Sequence, residues 1–198
     1  MDASDWDRRY AATELLWSAE PNRFVHAELA DLPPGRAVDL GTGEGRNAIW
    51  LASRGWRVTA VDFSAVAVDK GRRLAESAGV AVHWVVADLL DHVPEPDSFD
   101  LVLIAYLQLP AERFGTVLDR AARALAPGGV LLMVGHDAEN LRHGVGGPQD
   151  PSVLHTPDGV AARLPGLRVD RADRVRRPVA DADREAIDTL VRAHRPAG

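Results

Sequence analysis

The 198-residue chain predicts an α/β fold: a doubly wound, mostly parallel sheet with helices on both faces. Two observations predict it. Short, almost uninterrupted apolar runs alternate with helix-like segments, the pattern of parallel strands covered on both faces and joined by right-handed crossovers. The first of these runs ends in an acidic residue and a glycine-rich turn, Asp39-Leu40-Gly41-Thr42-Gly43-Glu44-Gly45, which opens directly into a helix pattern. No repeat or low-complexity linker interrupts the series. One domain over 1–198 is expected, with a helical cover over 1–35 and a core over 36–198 that carries a loop insert near 136–157.

The elements follow in order. Residues 6–17 and 22–32 have helical patterns, and Pro33-Pro34-Gly35 separates them from the first strand. Strands are expected at 37–40, 57–62, 80–87, 99–105 and 129–135, with helices at 46–54, 65–78 and 111–126 between them. Ser64 is a natural N-cap for the second of these helices, while Gly79 and Pro127-Gly128-Gly129 are stop signals. Residues 136–157 are rich in Gly, Pro, Asp and His, with room only for a short helix at 139–142. A loop this long is commonly a lid, and 144–151 holds three glycines and two prolines. Thr156-Pro157-Asp158 resembles a helix start. Residues 167–175 alternate as a strand does; 187–193 alternate weakly, and a helix competes there because Ala186, Leu190 and Val191 also align at helical spacing.

The glycine spacing narrows the ligand. A dinucleotide turn, G-x-G-x-x-G, would place its third glycine at position 46, where Arg46 stands. Asp39, two residues before the first glycine, would repel a pyrophosphate and attract a ligand with a positive end. Asp62 ends the second strand 23 positions after Asp39, close to where this fold places the acid that accepts from a ribose diol. The segment 39–47, D-L-G-T-G-E-G-R-N, resembles motif I of class I S-adenosylmethionine-dependent methyltransferases, and its Arg46-Asn47 ending resembles the tellurite-resistance and thiopurine methyltransferase branch.

That resemblance extends over about 6–196 and implies a Rossmann-like three-layer sandwich, with a seven-stranded sheet ending in an antiparallel edge hairpin. The hairpin decides 187–193 in favour of a strand. The implied cofactor is S-adenosyl-L-methionine, leaving as S-adenosyl-L-homocysteine. Asp39 would meet its ammonium, and Gly41, Thr42 and Gly43 would bring backbone close to it. Arg46 would meet its carboxylate or pair with a local acid; Asn47 lies in the first turn of the helix. Asp62 would hold the ribose or cap the next helix, with Phe63 stacked on adenine and Ser64 alongside. Asp88 and the Leu89 N–H would read the adenine edge, the alternative for Asp88 being a strand-end turn. Ala105 and Tyr106 would line the methionine arm. The candidate substrate residues are Trp17, Gln108, His136 and Asp137, and the catalytic candidates are His136 and Tyr106.

A sulfonium methyl has a good leaving group, so alignment in a dry cavity does much of the work. A base is needed only when the acceptor arrives protonated. A thiol or chalcogen oxyanion is the acceptor class the branch suggests, with a metabolite hydroxyl or amine as the alternative. No metal is expected, since there is no cysteine and no H-E-x-x-H. The net charge of -6 and the absence of an N-P-P-Y-type tetrapeptide after the fourth strand, where Ala105-Tyr106-Leu107-Gln108 stands, argue against nucleic acid. Lys70 is the only lysine against 22 arginines, the mark of a GC-rich bacterial genome. No signal core or membrane-length apolar run is present, so a cytoplasmic monomer or homodimer acting on a small molecule is expected. Two rivals remain: a cofactor-binding protein of the same fold without catalysis, and, more distantly, an NAD(P)-dependent oxidoreductase.

Overall fold

The structure is a computed structural model that describes residues 3–13, 15, 16 and 18–197. Its sheet has seven strands in the order β3-β2-β1-β4-β5-β7-β6. They are β1 (Arg36–Leu40), β2 (Arg57–Asp62), β3 (Val82–Val86), β4 (Phe99–Ala105), β5 (Leu125–His136), β6 (Arg168–Arg177) and β7 (Ala186–His194). The first five pair in parallel. β7 runs antiparallel between β5 and β6, so the weakly alternating segment is a strand and the expected edge hairpin is present.

Alternate residues of each central strand enter opposite cores, which is why these runs have no polar break. Ala37, Leu101, Leu103 and Leu132 face α2 (Arg23–Leu29) and α3 (Arg46–Ser53), which contribute Val25, Leu29, Ala48 and Leu51. Val38, Leu40, Val102, Ile104 and Leu131 face α5 (Ala111–Ala124) and α7 (Pro157–Ala161), which contribute Phe114, Leu118 and Val160. The remaining helices are α1 (Ala3–Ala11), α4 (Ala65–Ser77) and the short α6 (Asn140–His143), with a 3-10 turn at Pro151–Val153.

The caps follow the sequence. The Ser64 hydroxyl accepts the Ala67 N–H at 3.1 Å, and Thr156 does the same for Gly159 at 3.1 Å.

Several expected bounds are corrected. The first helix occupies Ala3–Ala11 rather than 6–17. The second is the shorter Arg23–Leu29, because the Asn22 side chain caps it by accepting the Phe24 and Val25 N–H groups. β3 begins at Val82, since the Val80 N–H still bonds to Ala75 in the turn after α4. Pro127-Gly128-Gly129 is not a helix stop. Leu125 already pairs with Phe99 in the sheet, and the Pro-Gly-Gly segment is a bulge inside β5 across which the register shifts. Nor is 136–157 structureless: Asp137 bridges to His155, and the buried Asn140 side chain accepts the Ile187 N–H at 2.7 Å and donates to the Gly146 carbonyl at 2.8 Å. His155, at the end of this segment, is 7% exposed with its ring 4.2 Å from that of Phe114. Burial lowers its pKa to about 4, so it is held neutral.

Candidate active site

β1 and β4 are neighbours, but the chain leaves β1 towards the α3 face and β4 towards the α5 face. A crevice must open where they diverge, beyond the carboxyl ends of the strands. A cavity of about 600 Å³ lies there, between the 41–47 turn, the ends of β4 and β5, and the covering N-terminal segment.

The turn is built from left-handed glycines, with φ of +79° at Gly41, +58° at Gly43 and +80° at Gly45. The Gly41 and Thr42 N–H groups donate to the Val61 carbonyl at 2.9 and 3.1 Å, which ties the turn to β2. A side chain at Gly43 would lie 2.7 Å from the Tyr10 hydroxyl, so α1 rests directly on the turn. The cover is fastened by the chain's only lysine. Lys70 Nζ donates to the Tyr10 and Thr13 carbonyls and pairs with Glu44 at 3.3 Å, while Glu44 accepts the Leu16 N–H.

Asp39 is 1% exposed beneath this turn. Its Oδ2 accepts the Thr42 hydroxyl at 2.7 Å, and its Oδ1 is buried with no hydrogen-bond partner. Burial, reinforced by nearby Asp62, raises its pKa to about 7. An orphaned carboxylate oxygen beside a glycine cradle fits a cationic donor such as an α-ammonium and does not fit a phosphate.

The raised pKa also sets a pH dependence. The folded state binds this proton more tightly than the unfolded state. The associated stability is therefore full below pH 4 and is lost as pH rises through about 7. Asp39→Asn should flatten that loss between pH 5 and 8 in ligand-free melts; an unchanged slope would mean that Asp39 does not carry it.

Asp62 also lies under the turn. Its Oδ2 accepts the Gly43 N–H at 2.8 Å and its Oδ1 the Ser64 N–H at 2.9 Å, each oxygen keeping further acceptor capacity. Ser64 bonds to Asp7 of α1 through its hydroxyl. Asp88 is exposed and accepts the Leu90 N–H at 2.8 Å, a strand-end turn, while the Leu89 side chain is buried. Phe63 is half-buried. These residues stand outside the cavity lining, which takes in Gly41, Thr42, Gly43, Arg46, Asn47, Ala105, Tyr106, Gln108 and His136. The Asn47 side-chain Oδ1 accepts the Asn22 backbone N–H at 2.9 Å, so this residue also anchors the cover. Trp17 lies outside the described residues.

Two expected neighbours separate at the end of β5. His136 enters the cavity with its ring 4.8 Å from that of Tyr106, and the Gly147 backbone packs on the imidazole. Asp137 does not reach the cavity. It is fully buried and accepts from Thr189 at 2.7 Å, from the Glu139 N–H at 2.8 Å and from Arg174 at 3.0 Å. The expectation for Asp137 is corrected on that ground: strand alternation sends it to the opposite side from His136.

The sequence reading missed Asp188, Arg177 and Asn22. Asp188, fully buried in β7, accepts the Tyr106 hydroxyl at 2.7 Å and Arg177 Nε at 3.0 Å, and its other oxygen lies 3.4 Å from His136 Nδ1. Burial alone would raise its pKa, but His136, Tyr106 and Arg177 together hold it below the ordinary carboxylate value. Tyr106 adopts φ +57°, a strained conformation for an aromatic residue. The hydroxyl anchor to Asp188 helps to hold it there. The available signal was an aspartate interrupting an otherwise apolar strand, Ala186-Ile187-Asp188-Thr189-Leu190-Val191.

Among the described residues, no three His, Asp or Glu side chains gather as a metal site, and no helix is long and apolar enough to cross a membrane.

Comparison with known proteins agrees with this geometry. A family model described as a methyltransferase domain matches residues 37–129. The tRNA 5-carboxymethoxyuridine methyltransferase of Escherichia coli (strain K12) is 36% identical over 121 residues, covering 57% of this chain and 45% of that protein. The chain spans under half the length of the curated relatives it matches. The N-methyltransferase NodS from Bradyrhizobium japonicum WM9, in complex with S-adenosyl-L-homocysteine, superposes with a TM-score of 0.76 at 19% identity, over 99% of this chain and all of that one. A structure concerned with conversion of a disulfide bond into a thioacetal group in echinomycin biosynthesis superposes with a TM-score of 0.78 at 24% identity, over 99% and 93% of the two chains. Residues 37–129 are thus similar to a methyltransferase domain, and the whole chain shares its fold with the N-methyltransferase NodS.

Proposed function

We propose that this chain transfers the methyl group of S-adenosyl-L-methionine to a small-molecule acceptor. The observation that carries the reading is the orphaned, buried Asp39 oxygen beneath an open glycine turn. A dinucleotide would bring phosphate to that place, whereas the adenosyl amino acid brings an ammonium. We assign Arg46, in the same turn, to the amino acid's carboxylate; Asp62 and Asp88 stand beyond the cavity lining at the ends of β2 and β3, and we assign them to the ribose and adenine ends. When bound, the cofactor supplies a methyl group on a sulfonium. The protein supplies alignment and a cavity covered by the N-terminal segment that Lys70 and Glu44 fasten.

The cavity of about 600 Å³ is of the size that small-molecule sites have, which supports a small acceptor. Thiolates and chalcogen oxyanions, the class suggested by the tellurite-resistance and thiopurine branch, arrive deprotonated and need little help from a base. A specific observation supports a second acceptor class: His136 faces the cavity beside the buried Asp188 carboxylate, an arrangement able to take a proton from a hydroxyl or amine. The relative from Escherichia coli is named for a tRNA nucleoside; the net charge of -6 and the closed cover favour a small molecule here.

The test is a titration with S-adenosyl-L-homocysteine. Submicromolar to micromolar binding is expected at pH 7.5, weakening below pH 7 as the ammonium must displace the Asp39 proton, and Asp39→Asn should remove that pH dependence. Binding of NAD(H) with no affinity for S-adenosyl-L-homocysteine would overturn the reading. Turnover with pooled thiols, phenols, amines, tellurite and selenite separates an enzyme from a protein that only binds the cofactor.

A further inference from the structure

Building on that function, we infer that Arg177 selects the acceptor, and that the acceptor is a small organic acid whose carboxylate pairs with the outer edge of the Arg177 guanidinium. Asp188 accepts Nε of Arg177 at 3.0 Å from a fully buried position, and the guanidinium carbon lies 5.8 Å from the centre of the Tyr106 ring. Nε is committed inward, and the guanidinium sits over an aromatic ring. The rigid fork therefore leaves its Nη edge for a ligand, in the bidentate geometry a carboxylate matches. The side chain is 27% exposed, and it lines the cavity.

The charge balance of the cavity points the same way. The chain carries a net charge of -6, yet among the described residues the charged groups lining the cavity are Arg23, Arg46, Arg177 and Glu44, the last neutralised by Lys70 at 3.3 Å. In an acidic protein, three of the four charged side chains that line this cavity are arginines, which favours an anionic ligand. Arg46 belongs to the glycine turn and serves the cofactor's own carboxylate. Arg177 lies with Tyr106 and His136 beside that turn, near enough to Arg46 for the two guanidinium groups to repel, and so on the side of the cofactor's reactive arm. His136 and Gln108 border the same space, so the acceptor's anion and its nucleophile have separate places.

The experiment titrates protein saturated with S-adenosyl-L-homocysteine with 3-mercaptopropionate and with its uncharged match, 3-mercaptopropionamide. The acid is expected to bind about tenfold or more tightly than the amide, the range of a charge-assisted hydrogen bond. Arg177→Gln should weaken the acid to the level of the amide. Arg177→Lys should keep part of the preference, because the charge stays and the fork is lost; it also serves should the glutamine variant fold poorly. S-adenosyl-L-homocysteine affinity should fall by clearly less than the affinity for the acid in both, since Arg46 of the glycine turn is the residue assigned to that carboxylate. Equal affinity for the pair, no binding of either, or a loss of S-adenosyl-L-homocysteine affinity as large as the loss of acid affinity overturns the inference. If the wild-type protein does not bind S-adenosyl-L-homocysteine, the methyltransferase reading fails instead, and the same pair titrated into ligand-free protein still decides for Arg177.

Discussion

Gly45→Ala is expected to lower the melting temperature by roughly 5–20 °C and to abolish S-adenosyl-L-homocysteine binding at concentrations that saturate the wild type. Two penalties combine. A side chain at φ +80° in the left-handed region costs about 1–2 kcal/mol. The added Cβ would also stand 2.2 Å from the Trp84 ring, which is inside atomic contact and not relieved by a side-chain rotation alone; overpacking of this kind costs about 1–3 kcal/mol. The sum, about 2–5 kcal/mol, is a large share of the ~5–15 kcal/mol that holds a domain together, and each kcal/mol shifts the melting point of a chain this size by about 2–4 °C. Gly79→Ala is the control: φ is +68° but no atom lies within 4 Å, so only the conformational penalty applies. Equal melting points for the two variants would mean that the Trp84 contact is not what requires glycine at 45.

The same contact explains a feature that the sequence showed without its cause. The third glycine stands one position early for a dinucleotide turn, and Gly45 and Gly71 both clear space for the edge of Trp84, which lies between the glycine turn and α4. The requirement for glycine at 45 is packing under the site. It could not be read from the turn, because Trp84 is 39 residues away.

Local features were legible for the opposite reason. The central strands, the Ser64 and Thr156 caps and the turn itself depend on residues next to one another, and the structure has them within a few positions of the expected bounds. Asp188, Arg177 and Asn22 reach Tyr106 across 82, 71 and 84 positions, and no local pattern carries such a contact. Asp137 failed for a related reason. Adjacency to His136 in sequence suggested a shared role, but two consecutive residues at a strand end face opposite ways.

Asp188→Ala should then be the most damaging single change at the acceptor end of the cavity. The carboxylate is fully buried and ionised, and its loss leaves Arg177 Nε and the Tyr106 hydroxyl without their common acceptor and His136 without the carboxylate oxygen 3.4 Å from its Nδ1. Removing one partner from such a set costs about 3–5 kcal/mol, because the groups left behind stay desolvated and uncompensated. Tyr106 would also lose the anchor that helps to hold it at φ +57° and should relax, changing the cavity wall. Asp188→Asn keeps the shape and an acceptor for Tyr106, so it should cost clearly less than alanine.

The pH response separates charge from shape. The folded pKa of Asp188 is lowered, so its contribution is present above the unfolded carboxylate value and is lost as pH falls through the folded one. The asparagine variant should therefore lose part of the wild type's acid destabilisation below pH 4, while Asp39 acts on the neutral side of the curve. If Asp188→Ala melts within 2 °C of the wild type, the four side chains do not act as a unit, and the rigid presentation of Arg177 to an acceptor loses its physical basis.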